Sequence, residues 1–205
     1  KEKVYEVEEG TTALEFIKFG IKHDMEGIMA CKISNELKSL DDAVLKRDCA
    51  FDIVDYTTAD GSRIYVRGLT FILLKAFEEL YPEKKITVNY SLGHSMYCEA
   101  EDESEITQEM LTQVEKRMRE IIAENLRFEK KVLSVEEARA MCQQSGRDDK
   151  VGIIANRMKS HVSVYVCGGT MNYFYGVMPL STGAVPYFDL LKYENGLLLV
   201  YPRRS

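Results

Sequence analysis

The chain has 205 residues, a formal net charge of −6 and an apolar fraction of 45%. That length suffices for one large or two small domains and that composition for a buried core, while no apolar run approaches the ~18 residues of a membrane span. The negative charge argues against a domain that coats nucleic acid non-specifically, because such binding rests on neutralising phosphates.

Residues 1–7 hold no hydrophobic signal region, and VYEV at 4–7 alternates as a short strand. Gly10 leads into a helix, with Thr12 and Glu15 at capping-box spacing and Leu14, Ile17 and Ile21 on one face. Gly20 or Gly27 ends it. Residues 28–33 read as a strand, Asn35-Glu36 as a turn and residues 37–40 as the hairpin return. Asp41-Asp42 begins a short helical turn through Val44 and Leu45. Residues 51–56 form the next strand, and Asp60-Gly61 is a hairpin signal before a strand at 63–66. The order of strand, helix, hairpin, short helix and strand describes a small β-grasp domain over residues 1–66.

Leu69, Ile72, Leu73, Ala76, Phe77 and Leu80 then make a helical stripe ended by Pro82, with Phe71 and Leu74 as a second apolar edge. Residues 86–90 and 96–99 read as strands around Ser91-Leu92-Gly93-His94, and the acidic run 99–105 as a solvated loop. Thr107 caps a long helix carrying Leu111, Val114, Met118 and Ile121 on one face and Arg127, Lys130 and Lys131 in its last turns. Ser134 and Glu137 form a second capping box, for a helix through Met141. Residues 143–150 are a polar turn and 151–154 a short apolar piece. Val162, Val164 and Val166 alternate with Ser163 and Tyr165 in a strand feeding Cys167, after which Gly168-Gly169 permits a tight turn. A hairpin at Asn195-Gly196 closes residues 192–201. The five cysteines, odd in number and without a CxxC, point to reduced thiols in a cytoplasmic protein.

The first unit, with its TTALEFI helix and closing AFDIVDYTTADG segment, resembles a TGS domain, the ubiquitin-like module at the front of threonyl-tRNA synthetases. Residues 67–205 resemble the editing domain that follows it there and is shared with alanyl-tRNA synthetase. LLKAFEELYP, ITQEMLTQVEKRMREI and KKVLSVEEAR match in order. The resemblance implies an α+β fold, a β-grasp domain at 1–66 followed by an editing-like α+β domain at 67–205. Editing domains carry an HxxxH pair on the first helix and a Cys followed four residues later by His, groups suited to zinc or to water at an aminoacyl ester. Aligned on LYP, those positions hold Arg67, Phe71, Cys167 and Met171. Arginine stays protonated, phenylalanine has no ligand atom, and a thioether is a poor zinc ligand. The resemblance therefore implies a degenerate site with no catalytic residue and no metal. It leaves a ligand cleft of Arg67, Phe71, Cys167, Met171 and Tyr173.

YSLGHSMYCE and YFYGVMPLSTGAVPYFDL resemble instead the N-terminal region of bacterial uridine kinase-like proteins, in which such domains precede a P-loop nucleoside kinase domain. No GxxxxGK[ST] occurs in this chain. The expectation is a non-catalytic regulatory or RNA- or ligand-recognition region without a cofactor of its own; ATP and Mg would belong to the kinase domain of the parent. The partners implied are tRNA or other RNA, a small nucleoside-type ligand and that C-terminal kinase domain, with no membrane. The alternatives are an aminoacyl-tRNA deacylase and a protein-interaction module. Lesser candidates are His94 with Cys98 as metal ligands, His161 as a base for Cys167, and Tyr173-Phe174-Tyr175 as a base-stacking run. Lys192 with Arg203-Arg204 is too small a basic group to argue for RNA.

Overall fold

A computed structural model describes residues 3–21, 23–144 and 161–203. The apolar piece expected at 151–154 and most of the polar turn expected at 143–150 lie outside the described residues. The chain divides into two compact units, Lys1–Arg127 with Gly176–Ser205, and Phe128–Tyr175. All sheets are antiparallel, in an α+β arrangement.

In the first unit the Thr12–Glu15 box opens α1 (Ala13–Glu15). The Thr12 hydroxyl accepts from the Glu15 N–H, and the Glu15 carboxylate accepts from the Thr12 N–H and hydroxyl. The chain continues as a π-helical turn, Phe16–Gly20, which places Ala13, Phe16 and Ile17 inward while Leu14 is half-buried. Strand β1 (Ile28–Ile33) is the centre of a sheet ordered β2-β1-β3, with β2 at Glu36–Lys38 and β3 at Phe51–Asp55. Ser34 and Asn35, at φ +50° and +67°, make the two-residue turn, so the hairpin returns one residue earlier than the sequence predicts. Ala13, Ile17, Ile28, Cys31, Leu40 and Ala43 form a buried cluster beside this sheet. Residues 41–42 turn without forming a helix, and Val44 bridges to Thr12.

Two expected strands are absent. Residues 4–7 lie extended and exposed, with Val4 94% accessible and Tyr5 edge-on to Phe16. Alternation makes a strand only where a neighbouring edge takes its backbone hydrogen bonds, and no ladder forms here. Residues 63–66 belong to a helix, α2 (Ala59–Leu80). The Thr58 hydroxyl accepts from the Gly61 N–H at 3.0 Å, so Asp60-Gly61 starts a helix instead of turning a hairpin. Glycine is needed at 61 because a Cβ there would lie 1.8 Å from the Asp55 carbonyl oxygen. The β-grasp set of strands is therefore incomplete, and α2 runs unbroken past residue 66. Leu69, Ile72, Leu73, Ala76 and Phe77 are buried along it as the periodicity predicts.

Strands β4 (Ile86–Leu92) and β5 (Ser95–Ala100) follow as a hairpin turning at Gly93-His94. Helix α3 (Gln108–Glu124) starts at Thr107, whose hydroxyl accepts from the Met110 N–H, and buries Leu111, Val114, Met118 and Ile121 as read. Asn125, at φ +51°, ends it in the left-handed conformation. Lys130 and Lys131, expected in its last turns, consequently lie on a strand.

That strand, β6 (Glu129–Ser134), opens the second unit. Ser134 and Glu137 exchange backbone-to-side-chain hydrogen bonds and start α4 (Val135–Gln144), the capping box that the sequence predicts. Strands β7 (His161–Cys167) and β8 (Thr170–Asn172) complete a sheet ordered β6-β7-β8. Gly168 and Gly169, at φ +50° and +82°, make its tight turn. Ala138 and Cys142 of α4 pack with Val162, Val164 and Met171 of the sheet.

Back in the first unit, β9 (Asp189–Tyr193) and β10 (Gly196–Val200) close a sheet ordered β4-β5-β10-β9. Among the described residues no helix is long and apolar enough to cross a membrane.

Candidate functional site

Of the five residues expected to line a cleft, Arg67 and Phe71 belong to the first unit and Cys167, Met171 and Tyr173 to the second. Arg67 and Phe71 sit one turn apart on α2. The Arg67 guanidinium donates to the Val177 carbonyl. Gly176, at φ +108°, lies against the same group, where a Cβ would approach its Cζ to 3.0 Å. Arg67 thus holds the chain at 176–177 as well as supplying a permanent positive charge. Phe71 is wholly buried and belongs to the apolar core.

In the second unit the β7–β8 register pairs Cys167 with Thr170 and Val166 with Met171. Neighbours along a strand point to opposite faces, so the Cys167 thiol and the Met171 thioether face away from one another. Met171 joins Val162, Val164 and the α4 residues in the apolar cluster, and the Tyr173 ring packs against that cluster. Tyr165 and Asn172 share the Cys167 face, and all three are buried. His161 begins β7 and Cys167 ends it, a separation of about 20 Å at strand rise, which removes His161 as a base for that thiol.

The other thiol candidates are similarly placed. His94 is exposed in a turn while Cys98 is wholly buried, and burial pushes the Cys98 thiol up to about 12. Such a thiol stays protonated near neutrality and is neither a nucleophile nor a ready ligand. Among the described residues no group of three or more His, Cys, Asp or Glu is placed to hold a metal ion.

One polar constellation escaped the sequence reading. The Thr182 hydroxyl donates to the Ile121 carbonyl at 2.7 Å and accepts from the Leu126 N–H at 2.9 Å. The Ser181 hydroxyl donates to Asn125 Oδ1 at 2.6 Å. Gly183 is required beside them, since a Cβ would fall 2.4 Å from Asn125 Oδ1. Ser-Thr-Gly signals a turn in sequence, but its partners lie 56 and 61 positions away. Its chemistry is structural: it closes the end of α3.

No family model matches the chain. The threonine–tRNA ligase of Clostridium novyi is 30% identical over 190 residues, which cover 92% of this chain and 30% of that protein. That of Acidithiobacillus ferrooxidans is 31% identical over 163 residues, 79% of this chain and 25% of that protein. That of Clostridium tetani is 27% identical over 190 residues, again 92% and 30%. The chain spans 30% or less of the length of these curated relatives. They are ligases, and they lend no support to the uridine kinase-like parent expected from the sequence. Along most of its length the chain is related to threonine–tRNA ligases.

Proposed function

We propose that the chain is a tRNA-recognition module of the threonine–tRNA ligase kind, corresponding to the N-terminal region of those enzymes and without their hydrolytic groups. The observation that carries this reading is the similarity along 92% of the chain to a threonine–tRNA ligase. The division into a TGS-like part at 1–66 and an editing-like part at 67–205 belongs to the same proposal. Charge supports a location for the RNA. Residues 128–175 hold seven Lys and Arg against five Asp and Glu, although acids exceed bases in the chain as a whole, 33 to 27. Edge strand β6 carries Lys130 and Lys131 into solvent, where they can neutralise phosphates.

Hydrolysis of an aminoacyl ester needs a base or a metal-activated water at the carbonyl. Arg67 keeps its protons, Phe71 is buried, and Met171 is enclosed in an apolar cluster. Recognition without turnover follows. The test measures binding of threonine-specific tRNA by fluorescence anisotropy, together with release of amino acid from the same tRNA mischarged. Binding is expected, weakened about tenfold by joint Lys130→Glu and Lys131→Glu substitution, with no release above the spontaneous rate. Absence of binding overturns the proposal. Release that disappears in Cys167→Ala overturns it too, in favour of a deacylase.

A further inference from the structure

Strand β3 is an edge of the sheet β2-β1-β3, and its outer side pairs with no strand. Ser34 and Asn35 make a two-residue turn, so Ile33 and Glu36 form a hydrogen-bonded pair, and Ile33 and Cys31 turn their backbone groups to β2. Lys32 then turns its own to Asp52 of β3, and the Ser34 N–H keeps the same phase, donating to the Ala50 carbonyl at 2.8 Å. Phe51 and Ile53, out of phase with these, direct N–H and C=O away from β1, where no described residue takes them. The edge ends at Asp55, whose carbonyl accepts from the Thr58 N–H. The Phe51 and Ile53 side chains pack on the buried cluster of this unit; on the other face Asp52 is exposed and Val54 buried.

A second unpaired backbone stands nearby. Residues 4–7 make no backbone hydrogen bond among the described residues, and Tyr5 and Val7 there are 43% accessible. The segment is nevertheless held. The Tyr5 ring meets the Phe16 ring edge-on at 5.5 Å, and the Phe51 ring meets the same ring at 4.9 Å. Tyr5 and Phe51 make no ring contact with each other, so Phe16 links two backbones that do not pair. Unpaired backbone groups are satisfied by water or by another extended chain, and a bare edge strand is a template for the latter. One strand with two free edges satisfies both backbones at once. An edge strand of a second folded copy has a single free edge, and a nucleic acid has no matching ladder of alternating donors and acceptors.

We propose that this unit takes up an extended peptide segment of a partner protein as an added strand, hydrogen-bonded to Phe51 and Ile53 of β3 along one edge and to residues 4–7 along the other. Main-chain hydrogen bonds give strand addition its affinity, and alternate side chains give it specificity. Here one face of the added strand meets Tyr5, Val7 and Phe51 beside Phe16, which selects apolar residues at every second position. The inference goes beyond the tRNA reading and uses none of its residues, so either can fail alone.

The test titrates the isotope-labelled 205-residue chain with a synthetic peptide of about seven residues, valine alternating with threonine and a lysine at each end, followed by NMR. The expected result is slowing of amide hydrogen exchange by about tenfold or more at Phe51, Ile53 and residues 4–7. The same peptide N-methylated at alternate residues loses the donors of one edge and should bind about tenfold more weakly. Tyr5→Ser with Val7→Ser should weaken binding of the unmodified peptide by a similar factor, with an unchanged thermal melt verifying the fold. Equal binding of the methylated peptide overturns the proposal, as does exchange at Phe51 and Ile53 that the peptide leaves untouched. Protection of those two amides in the peptide-free chain overturns it as well: at every dilution it means that the chain itself closes the edge, and only on concentrating it means that a second copy does.

Discussion

The five thiols show how far residue chemistry depends on placement. None is in a disulfide; Cys49 is exposed and Cys31, Cys98, Cys142 and Cys167 are buried. Burial pushes the Cys31 thiol up to about 11 and the Cys98 thiol up to about 12, from an ordinary value of 9.0. Between those values the unfolded chain has lost protons that the folded chain still holds. Stability is then fully present below about pH 9 and falls as pH rises toward the folded values. Urea midpoints compared at about pH 8 and pH 10.5 should show the alkaline loss, and Cys98→Ala should shrink it. A midpoint indifferent to pH across that interval would mean that these thiols are open to water. The sequence makes the count and the reduced state of the thiols legible, because both follow from composition and spacing. It hides their orientation: Cys167 and Met171 are four apart like a ligand pair, yet the two-glycine turn pairs Cys167 with Thr170 and turns Met171 to the other face.

At the scale of elements, local signals were legible and those with distant partners were not. The boxes Thr12–Glu15 and Ser134–Glu137 and the Thr107 cap occur where spacing predicts, because donor and acceptor lie within one turn of chain. Asp60-Gly61 misled because the pair serves a hairpin and a helix start alike, and the Thr58 cap with the close approach of Asp55 decides for the helix. The strand at 4–7 failed for want of a partner edge. Lys130 and Lys131 left the helix because Asn125 turns left-handed there, a reversal that amphipathic periodicity does not announce. Thr182 then receives the freed backbone groups at the helix end. Replacing it by valine keeps the shape but strips a wholly buried site of its donor to Ile121 and its acceptor for Leu126. The expected cost is about 2 kcal/mol, against about 1 kcal/mol for Ser181→Ala, which loses a single hydrogen bond. Urea denaturation reads both as lower midpoints at unchanged slope; an unmoved midpoint in Thr182→Val would show that α3 ends without this support.

At the scale of the whole molecule, composition reports a net charge of −6 but not where it resides. The basic excess falls in residues 128–175, and the acidic excess falls in the rest of the chain. A chain charged in this way engages few phosphates, because most of its surface repels them. Each neutralised phosphate on a single strand contributes about −0.7, and on a duplex about −0.9, to the slope of log affinity against log salt. With Lys130, Lys131 and one or two further bases of that unit engaged, tRNA binding should show a slope of about −2 to −4. Joint substitution of Lys130 and Lys131 by glutamate should make it shallower by about 2, while Tyr90→Ser with Leu191→Ser should leave it unchanged. Anisotropy titrations at four or more salt concentrations give all three slopes. A wild-type slope near −8 would require more phosphate contacts than the bases of this unit supply, and a slope untouched by the lysine substitutions would put the RNA on another surface.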